Sequence, residues 1–247
     1  VNGDQYNGDF ADGVMQGKGS YRQASGALYE GEFANSLYSG IGQLRLTDGT
    51  VYQGGFANNL FHGQGILKWP NGDVFEGTFK DGLRVKGAMR WASGIVYEGD
   101  FINDKRTGNG IMRYPDGSSY EGYFVEGQAA GKGVMRWPDG VSYEGDFASG
   151  KRSGRGVLRF ADGTVYEGDF LDGQFQGKGI IRWTDGSLYD GDFDAGKRTG
   201  KGTMRWTDGT TYQGDFLEGQ PNGEGTLFDA TGKPVKKGKW INVQPLP

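Results

Sequence analysis

The chain has 247 residues, of which 49 are Gly and 7 Pro, but it also carries 13 Tyr, 15 Phe and 6 Trp, an aromatic content that disordered chains lack. The formal net charge is -4, from 27 Lys+Arg against 31 Asp+Glu, so no global basic field recruits nucleic acid. There is no Cys, which excludes a disulfide framework, a Cys-ligated zinc and a thiol nucleophile.

The first predicted element is Tyr6-x-Gly8-x-Phe10, and the same Y-x-G-x-F returns at Tyr29, Tyr52, Tyr97, Tyr120, Tyr143, Tyr166, Tyr189 and Tyr212, with Phe75 replacing Tyr once. The starts are 23 residues apart, except for the 22 between Phe75 and Tyr97. Repetition on this scale marks a repeat architecture. Ten copies result, with a degenerate eleventh at Gly238-Lys239-Trp240, where Trp stands for Phe. The predicted organisation is one array over residues 1–228, closed over 229–247 by the degenerate repeat and a cap. Pro234 and the lysines around it are the residues that blunt an edge strand.

The unit from Gly131 to Phe147 shows the local logic. Met135 and Trp137 alternate with Val134 and Arg136, and Tyr143, Gly145 and Phe147 alternate with Glu144 and Asp146, the two-residue period of a strand. Each repeat is therefore predicted as a β-hairpin. Placing both aromatic sets on one face requires a loop of odd length, which a three-residue Pro138-Asp139-Gly140 loop satisfies with Gly140 in the left-handed region. Gly145 lies between two aromatics, where a missing side chain lets a ring cover the backbone. Gly131 and Gly133 are predicted to bracket the bend into the next hairpin. Two strands per repeat, at about 4.8 Å each, extrapolate to a rod on the order of 100 Å that curls into a trough.

With these motifs in place, the units resemble MORN repeats, whose pattern is a Y-x-G-x-F core, a short turn and G-x-G. The resemblance covers Tyr6 to about Gly225 and implies an all-β fold: an elongated, twisted single antiparallel sheet of tandem β-hairpins with an aromatic-lined groove. It also implies roles in membrane association, phosphoinositide binding or protein scaffolding, and no catalysis. Two departures stand out. Gln23 replaces the usual Trp, and around Val85 and Ala88 one connection is a residue short and loses a Gly, which predicts an irregularity near residues 83–88.

Catalytic readings are weak, and neither a catalytic residue, a cofactor nor a metal is assigned. His62 is the lone His, in a repeat that otherwise copies its neighbours. Glu98, Glu121, Glu144 and Glu167 recur at one position, near Arg90, Arg113, Arg136 and Arg159, as a solvated cross-strand charge ladder. The segment Gly127 to Gly133 fails as a phosphate loop, because three residues rather than four separate its glycines and Gly133 follows Lys132.

Two binding surfaces remain. The first is an aromatic trough lined by Trp69, Trp91, Tyr97, Tyr120, Trp137, Tyr143, Tyr166, Trp183, Tyr189, Trp206 and Tyr212, the residue types that anchor interfaces. The second is a row of basic inter-hairpin turns. Lys105-Arg106, Lys151-Arg152 and Lys197-Arg198 recur every 46 residues, with Arg155 and Lys201 beside two of them, and such a row attracts anionic lipid headgroups. The preferred function is a non-catalytic protein-binding scaffold. The alternative is a peripheral module that binds anionic phospholipid through those turns. A protein partner is expected, with anionic membrane lipid as the alternative, no nucleic acid, and a homodimer through the array ends as a further option. No apolar run nears the roughly 18 residues of a membrane span, so the expected location is soluble or peripheral at a membrane. The first residue, Val1, also fits an exported bacterial protein whose leader has been removed.

Overall fold

The computed structural model describes residues 3–242 and 244–245, and among them the only regular structure is β-strand, in antiparallel hairpins that follow one another along the chain. Contacts divide the chain into two units. One runs to Ser119 and includes Phe124–Gly127; the other comprises Tyr120–Tyr123 and continues from Gln128. Both are built from the same hairpin.

In the second unit, Gln128–Arg136 pairs with Ser142–Ala148 through Gly133↔Gly145 and Met135↔Tyr143. Ser142–Ala148 then pairs with Lys151–Arg159 through Tyr143↔Leu158 and Gly145↔Gly156. The first unit repeats this register, for example Leu44↔Tyr52 and then Tyr52↔Leu67. One end of each hairpin carries the predicted three-residue loop: the Trp137 N–H donates to Val141 O at 2.9 Å, the Gly140 N–H donates to Trp137 O at 3.1 Å, and Gly140 has φ 89°. The loop carboxylate locks the turn, since Asp139 Oδ1 accepts from the Val141 N–H at 3.0 Å.

The other end differs from the prediction. The connection is a two-residue turn, Ser149 at φ 49° and Gly150 at φ 78°, with Ala148 opposite Lys151. Two successive positive φ values make the primed turn whose twist matches the strands. Gly131 and Gly133 therefore do not bracket a connection; they lie inside Gln128–Arg136. Likewise Lys105-Arg106, Lys151-Arg152 and Lys197-Arg198 are not turn residues but open the strands Lys105–Arg113, Lys151–Arg159 and Lys197–Arg205.

Beyond the turn the longer strand bulges. Between Gly145 and Phe147 the pairing jumps from Gly156 to Arg152, and Gly154, at φ 65°, takes the bend. Around Val85 the missing residue shortens only this bulge, because Phe79↔Arg84 and Phe75↔Met89 keep the register of the other repeats.

The conserved geometry of the packed face rests on the tyrosine. Its ring lies flat over a glycine from each of two paired strands: a Cβ on Gly145 or Gly156 would come within 2.5 Å of the Tyr143 ring or hydroxyl. The Tyr143 hydroxyl ends the arrangement by donating to Asp146 O at 2.9 Å, beside the bulge. The motif tyrosines also meet rings edge-on, as Tyr143 meets Phe147 at 5.1 Å and Phe170 of the next repeat at 4.9 Å. Such T-shaped pairs are favourable beyond their buried area. Most of the core is this file of rings.

Candidate functional site

Of the residues predicted for partner contact, the tyrosines are buried: Tyr97, Tyr143, Tyr166, Tyr189 and Tyr212 are fully enclosed and Tyr120 nearly so. Burial pushes the Tyr97 and Tyr143 phenols up to about 12, with Asp100 and Asp146 adding to the effect. The tryptophans Trp69, Trp91, Trp137, Trp183 and Trp206 stand at the loop ends of their hairpins and remain half-exposed. Within each unit the tryptophans are thus the accessible members of the predicted aromatic set, while its tyrosines lie in a closed layer of Tyr and Phe.

The second residue after each two-residue turn decides what covers the tyrosine. In three repeats it is aromatic: Tyr38 stacks on Tyr29 at 3.8 Å, Phe61 on Tyr52 at 3.8 Å and Phe175 on Tyr166 at 3.7 Å. In four it is arginine. The Arg106 guanidinium carbon lies 5.3 Å from the Trp91 centroid and 5.8 Å from Tyr97. Arg152 sits similarly against Trp137, Tyr143 and Phe170, and Arg198 against Trp183, Tyr189 and Phe216. Arg84 occupies the same place over Trp69, Phe75 and Phe101 and donates to Asp104 Oδ1 at 2.9 Å. Sequence reasoning missed Arg84 because Leu83 rather than Lys precedes it and it lies one repeat, not two, before Arg106.

The arginines and lysines that the sequence groups as one basic row therefore do different things. Each Lys-Arg pair splits, as neighbours on a strand must. Burial lowers the affinity of the Arg106, Arg152 and Arg198 guanidinium groups for their protons, and the nearby tyrosines oppose that shift. Arg106 and Arg152 donate to the carbonyls of Gly127 at 2.9 Å and Gly173 at 2.7 Å. The lysines point outward to the acid of the next turn: Lys105 to Glu126 at 2.9 Å, Lys151 to Asp172 at 3.1 Å, and Lys197 to Glu218. Arg155 and Lys201 are also paired, with Asp169 at 3.4 Å and Asp215 at 2.6 Å.

The opposite face holds a shallow cleft of about 590 Å³ lined by Glu121, Glu144, Glu167, Lys132, Arg155, Val134, Val157 and the glycine backbone between them. Two members of the predicted charge ladder pair across strands, Arg113 with Glu98 at 3.3 Å and Arg136 with Glu121 at 3.9 Å. His62 is exposed, its Nδ1 3.8 Å from Asp81. Among the described residues no group of three His, Asp or Glu is placed to hold a metal ion.

A family model for the MORN repeat matches ten consecutive segments, from 6–27 through 212–233. The chain belongs to the MORN repeat family. No curated protein matches it. Among solved structures it is similar to the Drosophila melanogaster SAS-4 TCP domain, solved with a proline-rich motif of Ana2, at 14% identity over 62% of this chain and 85% of that one, with a TM-score of 0.41. The Danio rerio CPAP TCP10 domain, solved with a STIL peptide, gives 14% identity over 96% and 99% of the two chains, with a TM-score of 0.32. At these scores neither structure informs what this MORN protein binds.

Proposed function

We propose that this MORN repeat protein is a non-catalytic scaffold that binds a protein partner through the half-exposed tryptophans at its hairpin loops. The observation that carries the reading is the regular half-exposure of Trp69, Trp91, Trp137, Trp183 and Trp206 beside a closed aromatic layer. Tryptophan is among the side chains that carry most of the binding energy in protein interfaces. The buried tyrosines serve this site by holding the tryptophan-bearing loops, and a partner contacts the loops rather than the tyrosines.

The reading in which basic residues bind anionic lipid draws less support. Every cation in it already has a partner: Arg106, Arg152 and Arg198 on rings, and Arg155 and the lysines in ion pairs. A headgroup would have to displace them.

The experiment compares purified partner, recovered by affinity capture, with phosphatidylserine-containing vesicles. Saturable partner binding that is weakened at least about tenfold by Trp137→Ser with Trp183→Ser, at an unchanged fold by circular dichroism, supports the scaffold. Vesicle binding that is lost in Lys151→Glu with Lys197→Glu, with no protein complex formed, contradicts it.

A further inference from the structure

The ring box that holds Arg198 recurs one repeat later without an arginine. Trp183, Tyr189 and Phe216 surround the Arg198 guanidinium, whose carbon lies 5.5, 5.4 and 6.0 Å from their centroids. Twenty-three residues on, Trp206 and Tyr212 repeat the first two walls. Trp240 replaces the third, edge-on to Tyr212 at 5.2 Å as Phe216 is to Tyr189 at 4.9 Å. Its indole N–H donates to Gly225 O at 3.1 Å, which fixes the ring. Where Arg198 faces Phe193, the register puts Pro221 opposite Phe216.

Proline is too short to fill what arginine fills. A cavity of about 370 Å³ opens there, walled by Trp206, Tyr212, Pro221, Leu227 and Trp240, with Asp208 on its lining. The Asp208 carboxyl is held below the usual carboxylate range by hydrogen bonds from the Thr210 hydroxyl and N–H, both of which fall on Oδ1. The cavity thus combines three ring walls with a carboxylate that stays ionised.

We propose that this cavity receives an arginine side chain presented by a protein partner, completing in trans the box that Arg198 completes in cis. The occupant's chemistry follows from the chain's own precedent: the same three-ring arrangement already holds a guanidinium, and the Asp208 carboxylate on the lining complements its charge. Cations over aromatic faces gain most where they are desolvated, and Arg is the commonest such partner. The proposal rests on the scaffold reading and makes one contact of it specific.

The test uses the full chain and the peptide Ac-Gly-Arg-Gly-NH2, with citrulline and norleucine analogues as neutral controls, and follows the Trp206 and Trp240 indole N–H resonances. The arginine peptide is expected to shift both saturably, with a dissociation constant on the order of millimolar for so small a ligand. The citrulline and norleucine peptides should bind at least about tenfold more weakly, and Asp208→Asn, which keeps the turn acceptor, should weaken the arginine peptide several-fold. Pro221→Arg fills the cavity from within, so it should abolish the shifts and raise the melting midpoint.

Absence of shifts at about 50 mM peptide overturns the proposal. So does an equal response to the neutral peptides, concentration-dependent shifts without peptide that report a second copy of the chain in the cavity, or undiminished binding by a natively melting Pro221→Arg protein. Because the Trp240 indole lies in the cavity and outside the tryptophan set of the scaffold reading, a negative result there removes this contact and leaves the scaffold reading to its own partner titration.

Discussion

Arg152 lies over the ring of Tyr143, with its guanidinium carbon 5.7 Å from the centroid, and donates to the Gly173 carbonyl at 2.7 Å. That pair joins one repeat's tyrosine to the turn of the next. The charge at this position is therefore an element of packing: the Arg stem and plane cover a ring, as the Phe175 ring covers Tyr166.

The substitution series that follows separates shape from charge. Arg152→Ala uncovers the Tyr143 ring and should cost about 1–3 kcal/mol, whereas Arg152→Phe should stay within about 1 kcal/mol of the parent. Lys151→Glu, on the solvent side of the same strand, should shift stability by about 0.5 kcal/mol or less. Urea titrations measure all three. Equal losses for Arg152→Ala and Lys151→Glu would show that Arg152 does not pack as described.

The two glycine roles predict different tolerances. Gly145 faces backbone, with a Cβ placed there only 2.5 Å from Gly156 Cα, so Gly145→Ala should cost about 3 kcal/mol. Gly140 has open space around it and needs only a positive φ, so Gly140→Asn should cost about 1 kcal/mol or less, since Asn tolerates that region. Thermal melts decide the order, and a Gly145 variant as stable as the Gly140 one would refute the ring-over-glycine packing.

The sequence made much of this legible, and for a physical reason. Alternation and loop parity depend only on the two-residue period of a strand, so the hairpin, the Pro138-Asp139-Gly140 loop and the face shared by Met135 and Tyr143 could all be read directly. The connection at Ser149-Gly150 carries no signature of its own, since Ser rarely takes positive φ; its signal lay in the equivalent Asp12-Gly13, Asp81-Gly82 and Asp172-Gly173, whose Asp-Gly pairs mark a two-residue primed turn. The arginines were misread because adjacency in sequence suggested a single basic cluster, although neighbours on a strand face opposite ways. Comparing Tyr38, Phe61, Arg84, Arg106, Arg152 and Phe175 at one register position would have revealed the shared planar shape. The tyrosines were correctly placed on the aromatic face, but their full enclosure depends on rings from adjoining hairpins.

Enclosure also sets the response to alkali. Tyr97 and Tyr143 are raised to about 12 from an ordinary 10.0, so the folded state holds their protons where the unfolded state releases them. Their contribution is fully present below about pH 10 and is lost as the pH rises through about 12. Absorbance at the tyrosinate band and circular dichroism, followed together from neutral to strongly alkaline pH, should show buried tyrosines ionising only as ellipticity collapses. Ionisation of all tyrosines near pH 10.0 with the fold intact would contradict their burial.

The central claim is that the arginines hold the repeats together while the tryptophan edges meet a protein partner. Its most direct test is partner affinity, measured calorimetrically, for a protein carrying Lys151→Gln, Arg152→Phe, Lys197→Gln and Arg198→Phe, which removes the paired charges but keeps a planar group over Tyr143 and Tyr189. The account predicts a melting midpoint close to the parent's and a partner affinity within about threefold of it. Loss of partner binding at an unchanged midpoint would place recognition in the basic residues and contradict it.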